Sequence, residues 1–164
     1  MGTKQFLVGE EHVAESKVYP NEIGFDLSQF EDITVARIEP LRNKYNPNRR
    51  SPCIGVIARH TEWKGVHYIV EAFIHLHKDF PNAHLILANA KGDYKHVIDK
   101  LLAKLPNSSY TEISFEQDIH ALYKIFDLFA HTPIDRYGEP GGQVFIEPMI
   151  SGIPCVFTLS GVIL

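Results

Sequence analysis

Absences narrow the possibilities for this chain before any motif is considered. It has two cysteines in 164 residues, too few for a disulfide-stapled scaffold. Cys53 and Cys155 fall in or beside expected strands, far apart in sequence, where they fill core space rather than pair. A reducing cytoplasm is the expected setting, with peripheral membrane attachment of a full-length parent compatible with it. No apolar run approaches the ~20 residues needed to span a bilayer, and the N-terminal MGTKQFLVGEEH is too polar for a signal peptide. Neither sign of charge dominates, and a net charge of −4 argues against nucleic acid as a bulk partner. There is no internal repeat. The phosphate-loop pattern G-x-x-x-x-G-K-[ST] is absent, which excludes a P-loop phosphotransferase. G-x-G-x-x-G is absent too: GVIARH offers no second glycine, which counts against a dinucleotide oxidoreductase.

Histidine, by contrast, is abundant, with nine residues. The spacing does not make a metal site. His75 and His77 are two apart on an expected helix and face different directions, whereas helical zinc pairs stand three or four apart. His12, His67, His84, His96 and His120 are scattered among positions read as polar surface. No metal and no cofactor are expected. His60 and His131 stand apart, because each follows an expected strand.

What the chain does contain is alternation. Ile54 to Ala58 reads as a buried strand, and from Lys64 an amphipathic helix is expected, with Val66, Ile69, Val70, Phe73 and Phe80 recurring near helical spacing. Strands are expected at 83–88, 111–116, 127–132 and 154–158, with helices at 93–105, 118–126 and 143–151 between them. Continuous apolar strands separated by helices imply a parallel sheet covered on both faces, an α/β Rossmann-like doubly wound fold of about five strands. In the order 3-2-1-4-5, the first and fourth strands are neighbours whose connections leave in opposite directions. Ligands bind in that crevice, beyond the carboxyl ends of the strands.

Two loops open onto the crevice. After strand one come Arg59 and Lys64; two loop cations are ordinarily just solvated. After strand four comes GEPGGQVFIEPMISGIP, whose glycines Gly138, Gly141 and Gly142 feed a helix that stops at Gly152 and Pro154. A helix N-terminus approached through glycines favours an anion. Glu139 precedes that helix, and Glu147 interrupts its apolar run, where a buried carboxylate needs a partner. The plainer reading is two surface acids. With the cations and the helix start in one crevice, the set instead suits a ligand with both phosphates and hydroxyls.

At these residues the chain resembles the retaining glycosyltransferases of the GT-B fold (group 1, or family 4, type). The family's G-R-x-x-x-x-K-G is similar to Ala58 through Gly65, with alanine in the first place. Its E-x-F-G-x-x-x-x-E-A-x-x-x-G-x-P is similar to Glu139 through Pro154, with Gly141 for the aromatic and Pro148 for the alanine. The segment PNEIGFDLSQF (20–30) looks like the P-N-G-V-D-x-x-x-F that leads into the donor domain. The resemblance implies one half of a GT-B fold, binding a nucleotide-diphosphate sugar for polysaccharide or glycolipid synthesis. It implies Arg59, Lys64 and the backbone of Gly142 and Gln143 on the diphosphate, and Glu147 on the ribose. Glu139 would act at the transferred sugar as the catalytic carboxylate, with His131 a further sugar or phosphate contact. With no Asp-x-Asp motif, Arg59 and Lys64 take the place of a divalent cation. Pro148 is expected to kink its helix, and Asn89 stands where the family often has glycine.

The organisation expected from this resemblance is a leader and interdomain linker remnant at 1–50 and a C-terminally truncated donor domain at 51–164. The acceptor-binding N-terminal domain is then missing, and the expected outcome is self-association (a homo-oligomer) or contact with whatever supplies the missing half. Residues 31–50 read as a variable connection opening with a short helix, its arginines and lysines solvated. The rival reading is a non-catalytic GT-B-like module retained for nucleotide binding or assembly.

Overall fold

A computed structural model describes residues 3–19, 24–134 and 142–160. Five parallel strands form one sheet in the order β3-β2-β1-β4-β5: β1 (Cys53–Ile57), β2 (His84–Ala88), β3 (Tyr110–Ile113), β4 (Leu128–His131) and β5 (Cys155–Phe157). This is the doubly wound arrangement expected from the alternation. Strand β1 lies at its centre, with Gly55 in register with Ile86 of β2 and Phe129 of β4.

Period-two alternation along the strands divides the core between the two faces. Ile54, Val56, Leu85 and Leu87 point to one face. There they meet Val66, Ile69, Val70 and Phe73 of helix α3 (Val66–Asp79) and Ile98, Leu101 and Leu102 of α4 (Lys95–Leu102). Cys53, Ile86, Ala88 and Phe129 point to the other, against Ala121, Leu122 and Tyr123 of α5 (Ile119–Tyr123). A Cβ on Gly55 would come within 2.1 Å of the Phe126 ring, so this face closes only because β1 has no side chain there. Helix α6 (Gln143–Ile150) covers the β4–β5 end of the same face, with Phe145 against Phe157 at 5.0 Å between ring centroids.

N-terminal to the sheet lie α1 (Thr3–Gly9) and α2 (Val35–Tyr45). The short helix expected in the 31–50 segment is α2, but the segment is more than a solvated connection. Leu41 and Tyr45 are buried in the second-face core. Arg37 donates to both carboxylate oxygens of Asp118, at 2.9 and 2.7 Å, while Asp118 caps α5 by accepting from the Ala121 amide. The Arg37 guanidinium holds the Asp118 carboxyl below its ordinary range. The spacing of Leu41 and Tyr45, four apart, was the available sign that this stretch presents an apolar face.

His84 corrects another expectation. It is buried, not superficial, and its Nε2 lies 3.1 Å from the Tyr45 carbonyl and 3.0 Å from Thr111 Oγ1. It is the first residue of β2, a strand buried along its whole length because both faces of the sheet are covered, which a histidine in a polar-looking turn conceals. Both cysteines are free thiols, and burial pushes the Cys53 thiol up to about 12.

Candidate functional site

Arg59 follows β1 and is exposed. The chain then turns through a short 3-10 segment, Glu62–Lys64, and enters α3 at Gly65. Lys64 lies over the Trp63 ring, its Nζ 4.2 Å from the centroid, so Trp63 carries the cation on its face. Gly65 has φ +66, a conformation that L side chains rarely adopt, and a Cβ there would fall 1.9 Å from the Thr132 carbonyl oxygen. Only glycine lets the start of α3 come this close to the end of β4.

The contact is reinforced on both sides. Thr132 Oγ1 donates to the Gly65 carbonyl at 3.1 Å, and the Ile134 amide donates to the Trp63 carbonyl at 2.9 Å. The loop with the two cations is therefore fastened to the segment leaving β4, across the switch point of the sheet. Beside it an open crevice of about 520 Å³ is lined by Thr61, Glu62, Trp63, Asp93 and Ile134.

His60 fastens the cation loop on its other side. Its amide donates to the Lys91 carbonyl at 2.9 Å, and its carbonyl accepts from the Tyr94 amide at 2.8 Å. The ring is fully buried, with neither nitrogen hydrogen-bonded and Glu112 3.9 Å away. Burial, with Lys95 nearby, lowers its pKa from 6.5 to about 4. Between those values the unfolded chain binds a proton that the folded one refuses. The stability owed to neutral His60 is thus complete above about pH 6.5 and is lost as pH falls toward 4. Urea denaturation should show stability falling from pH 7 to pH 5, with His60 supplying up to ~1.4 kcal/mol per pH unit. In His60→Gln the fall should be smaller, and an unchanged profile in that variant would refute the assignment.

Past the second switch-point loop, Gly142 caps α6 in the left-handed region (φ 59°), and its carbonyl accepts from the Phe145 amide at 3.0 Å. The helix presents amides of its first turn, which have no intrahelical acceptor. Gln143, its first residue, is exposed. Glu139, Gly138 and Gly141 lie outside the described residues. His131 ends β4 fully buried, its ring edge-on to Phe145 at 5.2 Å and stacked with Phe129 at 6.5 Å. It seats the start of α6 from beneath and presents no accessible surface to a ligand. Pro148 leaves the helix regular to Ile150, and the Ser151 amide still bonds the Glu147 carbonyl at 3.0 Å. Proline here removes only the bond to the Val144 carbonyl, near the end of a short helix where that loss is tolerated. Asn89 has φ +61, a left-handed position in which asparagine is the usual substitute for glycine.

Glu147 has the partner its sequence context required. Tyr123 Oη donates to Glu147 Oε2 at 2.8 Å, from a fully buried ring. Burial, then the Glu147 charge, pushes the Tyr123 hydroxyl's pKa upward, so it serves Glu147 purely as a donor. Tyr123 and Thr132 are the site-supporting residues that sequence reasoning missed. Both sit in stretches that read as ordinary core, and no local spacing marks them. Tyr123→Phe should cost about 1 kcal/mol of stability through the lost hydrogen bond and let the carboxylate swing. Denaturant titration checks this, and an unchanged midpoint would count against the bond.

Residues 37–164 match the family described as Glycosyl transferases group 1. The chain belongs to that family. It is 24% identical over 148 residues to the alpha-monoglucosyldiacylglycerol synthase of Acholeplasma laidlawii, covering 88% of this chain and 36% of that protein. Among solved structures, a glycosyltransferase from Rickettsia africae superposes with a TM-score of 0.80 at 26% identity, covering 96% of this chain and 42% of that one. HepE of Anabaena, solved in complex with UDP-glucose, gives a TM-score of 0.69 at 26% identity, covering 84% of this chain and 37% of that one. The chain thus spans well under half the length of these relatives, and its sheet is the Rossmann-like unit of a GT-B glycosyltransferase.

Proposed function

We propose that this domain binds a nucleotide-diphosphate sugar and presents it for transfer to an acceptor with retention of anomeric configuration. The carrying observation is the cation loop fastened across the sheet's switch point through Gly65, Thr132, Trp63 and Ile134. The UDP-glucose complex of HepE supports the choice of ligand class.

Departure of the diphosphate leaves negative charge on its oxygens as the bond to the anomeric carbon breaks. Arg59, Lys64 and the amides of Gly142 and Gln143 at the start of α6 stabilise that charge with groups positioned in advance. Glu139 is the carboxylate assigned to the transferred sugar, where it would stabilise the electron-poor anomeric carbon. Glu147, oriented by Tyr123, accepts hydrogen bonds from the ribose hydroxyls. The buried His131 acts through Phe145 as a support. A further domain of the whole protein supplies the acceptor, and closure over the donor excludes water.

Two cations in the loop after β1, Arg59 and Lys64, make a divalent ion unnecessary for binding. Isothermal titration with UDP and UDP-glucose should therefore give the same affinity in EDTA as in magnesium or manganese. Strict dependence on either ion would overturn the metal-free reading, and failure of every nucleoside diphosphate to bind would overturn the donor reading itself.

A further inference from the structure

A second cavity, of about 290 Å³, is lined by residues of both α5 and α6. Gln143 and Glu147 line it from α6, one helical turn apart and therefore on one face. His120, at the start of α5, closes one end. The remaining wall comes from far away in sequence: Phe25, Asp26, Gln29 and Phe30 of the leader.

The leader turn has local order of its own. Asp26 accepts from the Ser28 amide at 3.1 Å, from Ser28 Oγ at 2.6 Å and from Gln29 Nε2 at 3.1 Å, which closes the 3-10 segment Leu27–Phe30. Its hold on the domain is slighter. Phe30 meets the His120 ring edge-on at 4.5 Å, and Phe25 packs on Phe30 at 6.4 Å. Asp26, Leu27, Ser28 and Gln29 are all exposed. A wall that meets the domain through the Phe30 ring is stabilised by whatever fills the space behind it.

The contents of the cavity are constrained by size and chemistry. Ligand sites for whole drug-sized molecules occupy roughly 300–1,000 Å³, so this one takes a fragment of the donor. Along α6 the phosphates belong at the helix start and a hydroxyl-bearing group belongs one turn on, at Glu147. Beyond Glu147 the walls are Phe25, Phe30, Ile119 and His120 with the hydrogen-bonded pair Asp26 and Gln29, and apolar rings beside polar groups suit a flat heterocycle with polar edges. We propose that the leader turn Leu27–Phe30 is the outer wall of the nucleoside pocket, so that nucleotide binding clamps the leader onto the domain. The proposal rests on the donor reading of Gln143 and Glu147. It adds a coupling between donor occupancy and the segment that enters the domain from its N-terminal side.

Hydrogen exchange on the full chain tests it, with whichever of UDP, ADP or GDP binds most tightly and with inorganic pyrophosphate as the phosphate-only probe. The nucleotide should slow exchange of the amides of residues 25–31 severalfold, whereas pyrophosphate, held at the cation loop, should leave them unchanged. Phe30→Ala, and separately the exposed Gln29→Ala, should weaken nucleotide binding, with about a tenfold loss for Phe30→Ala, and spare pyrophosphate. Unfolding midpoints identify any variant that is merely misfolded. Nucleotide binding of unchanged affinity in both variants, with no protection of the leader, would overturn the clamp and leave the donor site standing. Equal losses for nucleotide and pyrophosphate would also overturn it. If none of the nucleotides binds the folded chain, the donor reading fails and the clamp fails with it.

Discussion

Arg59→Ala and Lys64→Ala should each weaken nucleoside diphosphate and nucleotide sugar alike, by about 1.5–3 kcal/mol, or roughly 10- to 150-fold. On the proposed donor site, each change would remove a charge-assisted hydrogen bond to a phosphate oxygen, and phosphate is common to both ligands. Arg59 is exposed and Lys64 rests on the Trp63 ring, so neither truncation opens the core. The carboxylates should behave differently. Glu139→Ala should spare the free nucleotide and weaken only the sugar conjugate, because Glu139 is assigned to the sugar. Glu147→Ala should reduce the preference for ribonucleotides over their deoxyribose analogues. Titration calorimetry with matched ligands measures all four. Equal losses for every variant with every ligand would mean a folding defect or a misplaced site.

The second large effect belongs to Gly65→Ala. Alanine at φ +66 incurs backbone strain, and its Cβ would sit 1.9 Å from the Thr132 carbonyl oxygen, far inside contact distance. Strain and overpacking together should cost roughly 2–5 kcal/mol, a large part of the 5–15 kcal/mol typical of a folded domain. Whatever relaxation the protein finds must part the start of α3 from the end of β4. Diphosphate affinity should therefore fall even where the variant remains folded. Urea denaturation and nucleotide titration on the same preparation separate the two effects, and an unchanged midpoint would refute the steric argument. Thr132→Ala provides the milder comparison: it removes the bond to the Gly65 carbonyl while leaving the backbones in contact.

Sequence by itself determined the sheet and its order, because both are repeated many times over. Apolar strands such as Ile54–Val56 and Leu85–Leu87 alternate with helices carrying Val66, Ile69, Val70 and Phe73, and each repeat constrains the next. The five expected strands appear within a residue or two, except that β3 ends at Ile113, before the polar end of TEISFE. Sequence also identified Arg59, Lys64 and Gly142 as loop and helix-start positions, since glycine and charge beside apolar runs are local signals.

Tertiary structure alone decided what those positions are fastened to. Nothing in the chain's local pattern joins Gly65 to Thr132 or Glu147 to Tyr123, because a close approach between two loops depends on where the sheet delivers them. The same holds for histidines. His84 looked superficial and His131 looked like a ligand contact, yet both are buried, because each lies in a strand of a sheet covered on both faces. The leader shows the limit most clearly. Its Phe25 and Phe30 are two aromatics in a polar stretch, without helical or strand periodicity. Only the folded chain brings them to His120 and the cavity beside Glu147, since a wall built from residues nearly a hundred positions apart leaves no short-range trace.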